Sequence, residues 1–130
     1  MNEEEKLSLI KNAEADLYEF IIEWFENRFI EENFDIIIEN LGEFNLKVFI
    51  IELLKNDFDL TNENKLRLVE ICCYKNYLNL IKHLLKKNIC SVQDIVMECC
   101  KNKNEKLLRT LTRDNEDFQK YLIKITIENY

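Results

Sequence analysis

Apolar residues recur three and four positions apart along most of this chain, as the buried face of an α-helix requires. The clearest stripes lie in residues 17–25, 46–54, 78–85 and 107–111. Shorter apolar segments lie between them. The pattern predicts an all-α protein of eight to ten short helices.

Asparagine marks most of the breaks between these stripes. These asparagines are Asn12, Asn27, Asn33, Asn40, Asn56, Asn62, Asn76, Asn88, Asn102 and Asn115. Asn tolerates the left-handed conformation that ends helices, so it can replace glycine, which occurs only at Gly42, in a chain without proline. Thr61, Asn62, Ser91 and Asp94 fit helix starts. A single glycine also excludes phosphate-cradling loops.

An internal repeat is the most informative feature of the sequence. An offset of 27 aligns residues 68–73 with 95–100, continues to 122–127, and carries Leu84 to Leu111. Slightly longer steps extend the pattern toward the amino terminus, from Leu84 back to Leu53 and from Leu53 back to Trp24. A period of this length that contains two helices predicts a solenoid of α-helical hairpins.

Residues 68–88 resemble an ankyrin repeat. A short inner helix ends in two small residues at 72–73, a turn follows at Asn76, and an outer helix leads to a glycine-like position at Asn88. Asn115 is similar to the same loop position one repeat on. The resemblance implies an α-solenoid of about four short antiparallel hairpins. The family's Thr-Pro-Leu-His start and most of its glycines are missing, so we expect its β-hairpin loops to be reduced or absent.

We expect one domain over residues 1–130, with an amino-terminal capping repeat at 1–33 and repeats at 34–130. Four aromatic residues crowd the first helices: Trp24, Phe25, Phe29 and Phe34. They either plug the open end of the stack or form an exposed partner patch.

Charge is distributed unevenly along the chain. The net charge is −7, but residues 1–63 carry 17 acids and 5 bases (−12), whereas residues 64–130 carry 8 acids and 13 bases (+5). The acidic start does not match a secretory signal, and no apolar run approaches the length of a membrane span. Five cysteines, an odd number, favour a reducing compartment, so we expect an intracellular, cytoplasmic protein. Abundant Asn, Ile and Lys suggest an AT-rich genome, as in intracellular parasites and large DNA viruses.

The cysteines invite a zinc interpretation, since residues 72–73 and 99–100 form two pairs near His83. Adjacent cysteines on a helix point about 100° apart, however, and do not chelate one ion as a spaced pair does. The repeat favours core packing between inner helices instead. His83 lacks an identifiable catalytic partner, and Ser8 and Ser91 are the only serines. We predict no catalytic residue, metal or cofactor.

Basic residues give the best candidates for contact with a partner. Offsets of 27 relate Lys82 to Arg109 and Lys86 to Arg113, which predicts a positive stripe on the outer helices. The resemblance adds the residues around the turns of successive repeats. The candidates there are Tyr74, Lys75, Tyr77, Lys101 and Lys103.

The sequence therefore predicts a non-enzymatic module that binds another protein through its repeat surface. The alternative is an accessory factor that docks on RNA or a ribonucleoprotein through the basic stripe. A third hypothesis is a closed helical bundle whose groove binds one partner helix, as in viral inhibitors of host cell death. The repeat register counts against a closed bundle. The sequence leaves the oligomeric state open.

Overall fold

A computed structural model of the chain describes residues 2–13 and 27–128. These residues form nine helices, and no strand occurs among them, which confirms the predicted all-α class. The helices are α1 (Glu3–Asn12), α2 (Asn27–Glu32), α3 (Phe34–Glu39), α4 (Phe44–Lys55), α5 (Asn62–Lys75), α6 (Leu78–Lys86), α7 (Val92–Lys101), α8 (Glu105–Asp114) and α9 (Glu116–Glu128). The predicted stripe at 17–25, with Trp24 and Phe25, and the side chain of Phe29 lie outside the described residues.

The chain divides into two compact units, residues 1–68 and 69–130, and the boundary falls within α5. In the first unit, α1 packs against α4. Ile10 of α1 and Phe49 of α4 are buried in this core. Lys11 Nζ also donates a 3.2 Å hydrogen bond to Oδ1 of Asn40. The amphipathic pattern of α1 and α4 thus has its expected result, because the apolar side of each helix is withdrawn from water.

Polar contacts connect the start of α5 to α2 and α3. Asn64 Nδ2 donates a 2.7 Å hydrogen bond to Oε2 of Glu31. Arg67 forms ion pairs with Asp35 and with Glu63, one turn earlier on α5. Phe34, an aromatic residue of the predicted amino-terminal cluster, is buried at the start of α3.

In the second unit, α8 packs against α7 and α9, and α9 also contacts α7. The repeat register is visible in burial: Leu80 and Leu84 of α6 are buried, and so are their equivalents Leu107 and Leu111 of α8. α6 and α8 therefore withdraw the same side of their surface from water.

The predicted helix starts at 61 and 91 are confirmed. Thr61 Oγ1 accepts a hydrogen bond from the Asn64 backbone N–H at 3.2 Å. Ser91 caps α7 as part of a capping box in which Asp94 bonds back to the Ser91 N–H at 2.8 Å. This reciprocal pairing satisfies backbone donors that the first helical turn leaves without a carbonyl.

The predicted left-handed helix ends are confirmed only in part. Asn76 and Asn88 have φ angles of 61° and 57°. In contrast, the asparagines that directly follow α3, α4 and α7 keep right-handed φ angles, and the left-handed residue after α4 and α7 is the next one, Asp57 or Lys103. The prediction for Asn115 is wrong, because its φ is −141° and its side chain instead accepts a hydrogen bond from the Asp117 N–H, in the first turn of α9.

Candidate functional site

The turns that follow α5 and α7 have the same backbone structure. After α5, the Tyr77 N–H donates to the Cys72 carbonyl at 2.9 Å across the left-handed Asn76. After α7, the Asn104 N–H donates to the Cys99 carbonyl at 2.8 Å. Both bonds close the same wide turn as in the Schellman motif, and their positions are one sequence repeat apart.

Asn104 joins the two turns. Its Nδ2 donates to the Cys73 carbonyl at 2.9 Å and to Oδ1 of Asn76 at 2.7 Å. Its Oδ1 accepts from the Leu107 N–H at 3.2 Å and so caps α8. One side chain therefore fixes the start of α8 and holds the carboxyl-terminal end of α5 beside it.

Four of the predicted contact residues flank this junction. Tyr74 is 64% exposed on the last turn of α5, and Lys75 Nζ lies 5.5 Å from the centre of its ring, a cation–π contact. Lys101 and Lys103 are exposed at the end of α7. Because Asn104 bonds to Cys73 and Asn76, these exposed residues belong to one region of the second unit.

Tyr77 differs from the other predicted turn residues. It is half-buried, and its backbone N–H is used in the Schellman bond to Cys72. Its position supports the turn rather than extending from it.

Met97 was missed by the sequence analysis, although it is 60% exposed on α7, one helical turn before Lys101. In the sequence it reads as part of an apolar run with Ile95 and Val96. The helical period could have identified it, since Met97 lies about 200° around the helix from both Ile95 and Cys99, which are buried. Met97 adds an adaptable apolar side chain to the exposed face of α7.

The predicted basic stripe consists of exposed residues. Lys82 and Lys86 lie on α6, and Arg109 and Arg113 lie on α8. The two arginines have acidic neighbours, since Arg109 forms a 2.6 Å ion pair with Glu105 and Arg113 lies 3.7 Å from Asp114. The positive potential of α8 is therefore partly balanced within the helix itself.

The cysteines pack as predicted, with one exception. Cys72, Cys73 and Cys99 are buried, but Cys100 is exposed, so the packing prediction is wrong for Cys100. The equivalent residue one repeat on, Ile127, is also exposed. Among residues 2–13 and 27–128, no group of three or more side chains is arranged to hold a metal ion.

The thiols of Cys73 on α5 and Cys99 on α7 are joined by a hydrogen bond. This bond and burial hold the pKa of Cys73 far above its ordinary value. The same bond lowers the pKa of Cys99, against the opposing effect of burial. Burial, with a smaller contribution from the Asp94 carboxylate, raises the pKa of Cys90 to about 12. Cys73 and Cys99 are both buried, whereas Cys90 is half-buried.

Comparison with protein-family models, with curated proteins and with solved structures finds no significant match to this chain. Across the described part of the chain, each helix is too short or too polar to cross a lipid bilayer.

Proposed function

We propose that this protein is a non-enzymatic interaction module that binds another protein through the junction surface, defined as Tyr74, Lys75, Met97, Lys101 and Lys103. The observation that carries the proposal is the exposure of Tyr74 on the last turn of α5 and of Met97 one turn before Lys101 on α7, two helices whose following turns are joined by Asn104. The repeat solenoid suggested by the ankyrin resemblance remains part of this proposal. It is supported by the shared turn structure and by the matching burial of α6 and α8.

The chemistry of the junction surface defines the partner. Tyrosine is enriched at binding hot spots because it supplies a large contact area at small entropic cost, and methionine adapts to irregular apolar surfaces. The surrounding lysines favour carboxylates. The partner is therefore a protein that presents an apolar side chain next to acidic residues.

Affinity capture from the source cells tests the proposal. The tagged wild type is compared with the double variant Tyr74→Ala/Met97→Ala and with Phe44→Ala, which removes an exposed aromatic ring from α4. We expect the wild type and Phe44→Ala to retain the same protein at high salt, and the double variant to lose it. With that protein purified, the double substitution should weaken binding at least about tenfold. Equal retention by all three chains would disprove the proposed surface.

A second candidate function is docking on RNA through the basic stripe. This function is favoured by the exposure of Lys82, Lys86, Arg109 and Arg113. The acidic neighbours of the two arginines reduce the positive potential of the stripe, so RNA docking ranks behind protein binding. Fluorescence anisotropy with a labelled single-stranded RNA should then show binding that weakens steeply with salt. Reversal of the four charges should abolish binding, and reversal of four first-unit cations (Lys6, Lys47, Lys55 and Lys65) should not. Unchanged binding after reversal of the stripe would exclude it.

A further inference from the structure

α9 exposes an apolar pair flanked by cations. Ile123 and Ile127 are 59% and 71% exposed, and Lys120 and Lys124 are exposed beside them. These four residues follow the spacing i, i+3, i+4, i+7 and therefore share one side of the helix. Glu116 and Glu128 lie one turn beyond the two lysines. We call this side of α9 the basic face.

The repeat register shows that this position is normally covered. Val96 and Val69 occupy the position equivalent to Ile123 one repeat and two repeats earlier, and both valines are buried. The same position on α9 is open to solvent. Ile123 therefore lacks the burial that its equivalent position obtains elsewhere, and covering it together with the exposed Ile127 would remove apolar surface from water.

α1 carries a complementary surface. Its inner side packs on α4 through the buried Ile10, whereas Glu4, Glu5, Ser8, Leu9 and Asn12 are exposed and line a shallow surface depression. Four of these residues, Glu5, Ser8, Leu9 and Asn12, have the same i, i+3, i+4, i+7 spacing as the basic face. We call this side of α1 the acidic face.

We propose that a second copy of this chain covers the basic face of α9 with the acidic face of its own α1. The charges nearest the apolar side chains are opposite: Lys120 and Lys124 lie on either side of Ile123, and two glutamates lie beside Leu9. The acidic face belongs to the more acidic part of the sequence, because residues 1–63 carry a net charge of −12. Electrostatic attraction between copies would orient the encounter, and burial of Ile123, Ile127 and Leu9 would stabilise the contact.

This contact joins two different surfaces. Each copy therefore has one basic and one acidic face to offer, and association proceeds head to tail. Such an arrangement either closes into a ring of copies or forms an open assembly whose length increases with protein concentration. Both results give masses above that of the monomer, and both require the same pair of faces.

Sedimentation equilibrium of the full chain over a range of concentrations tests the proposal. We expect the average mass to rise with concentration at low salt and to fall when salt screens the charges. Lys120→Glu/Lys124→Glu should weaken association at least about tenfold, since both faces of that chain are then acidic. Glu4→Lys/Glu5→Lys should do the same, since both faces of that chain are then basic.

A mixture of the two variants separates a specific contact from misfolding. Each variant alone repels its own copies, but in a one-to-one mixture the acidic faces of one variant meet the basic faces of the other, so association should return. The matched control is Lys82→Glu/Lys86→Glu, which reverses two exposed lysines one helical turn apart on α6 and should associate like the wild type. Ile123→Ser/Ile127→Ser should weaken association while the charges remain.

Four results would overturn the proposal. The wild type could stay monomeric at every concentration, the mixture could stay monomeric while circular dichroism shows folded chains, or the α6 control could lose association as fully as the α9 variant. Association that survives Glu4→Lys/Glu5→Lys would also overturn it, because the contact would then not involve α1.

Discussion

The side-chain amide of Asn104 donates a 2.7 Å hydrogen bond to Oδ1 of Asn76, and this bond connects the loop after α5 to the loop after α7. The two loops lie one repeat apart in the sequence. Because Asn104 also caps α8 and bonds to the Cys73 carbonyl, a single residue carries three hydrogen bonds between or within these segments. It is the structural basis of the junction surface.

Replacement of Asn104 by alanine should lower the free energy of unfolding by about 2 kcal/mol. The substitution removes a helix cap, worth about 1 kcal/mol, and two further hydrogen bonds, worth about 1 kcal/mol each, and solvation of the partners offsets part of this loss. Urea denaturation followed by circular dichroism measures the change. Asn102→Ala is the control, since Asn102 is exposed and its replacement should cost less than about 0.5 kcal/mol.

Asn104→Asp separates the two roles of the side chain. The carboxylate can still accept from the Leu107 N–H and cap α8, but it has no donor for the Cys73 carbonyl or for Asn76. We expect this variant to be destabilised as well. Wild-type stability for Asn104→Asp would show that only the cap matters and that the connection between the loops contributes nothing.

Lys103→Gly should stabilise the fold. Lys103 has a φ of 53°, where a side chain with a Cβ is strained by about 1–2 kcal/mol and glycine is not. Glycine also has more freedom in the unfolded chain, so the expected gain in the free energy of unfolding is about 0.5–1 kcal/mol. The reverse test is Lys103→Val, a β-branched residue that should destabilise the protein. Thermal unfolding of both variants in parallel measures the effect, and a loss of stability in the glycine variant contradicts it.

Alkylation should distinguish the cysteines by burial and proton affinity. Cys100 is exposed and should react first with iodoacetamide at neutral pH. Cys73 and Cys90 should react slowly, because the pKa of each thiol is raised and little thiolate is present. Peptide mass spectrometry over a time course gives the order, and Cys100→Ser should remove the fast phase. Modification of Cys90 as fast as Cys100 would refute this order.

The raised pKa of Cys90 also predicts a loss of stability in alkali. An unfolded cysteine loses its proton near pH 8.5, whereas the folded state retains it to about pH 12. Proton retention by the folded state has no effect below pH 8.5 and disfavours folding progressively as the pH rises from there toward 12. The free energy of unfolding, measured by urea denaturation, should therefore fall less between pH 7.5 and pH 10 for Cys90→Ala than for the wild type. Equal drops would show that Cys90 titrates alike in both states.

The features that were predictable from sequence depend on local chemistry. The spacing of apolar residues by three and four positions identified the all-α class. The caps at Thr61 and Ser91 follow from side chains that bond to the backbone N–H three residues further along the chain. Asn76 and Asn88 were recognised because asparagine tolerates left-handed backbone. Lys103 was not recognised as left-handed, because lysine has no such preference and its turn is determined by the surrounding bonds.

The features that were not predictable depend on residues far apart in the chain. The bond from Asn104 to Cys73 spans 31 residues, and nothing near Asn104 in the sequence indicates it. Exposure of Cys100 likewise depends on which elements pack against α7, which the pattern within α7 does not specify. The 27-residue offset related Leu80 and Leu84 to Leu107 and Leu111, all of which are buried, but gave no information on whether every equivalent position is covered.

The hydrogen-bonded thiols of Cys73 and Cys99 offer a way to measure local opening of the structure. Both cysteines are buried, so a thiol reagent reaches Cys73 only when α5 and α7 separate locally. The rate at which Cys73 is labelled, relative to an unfolded peptide, then reports the free energy of that local opening. A bound partner that contacts both α5 and α7 would slow the labelling of Cys73. Binding could then be measured without labelling or altering the contact surface.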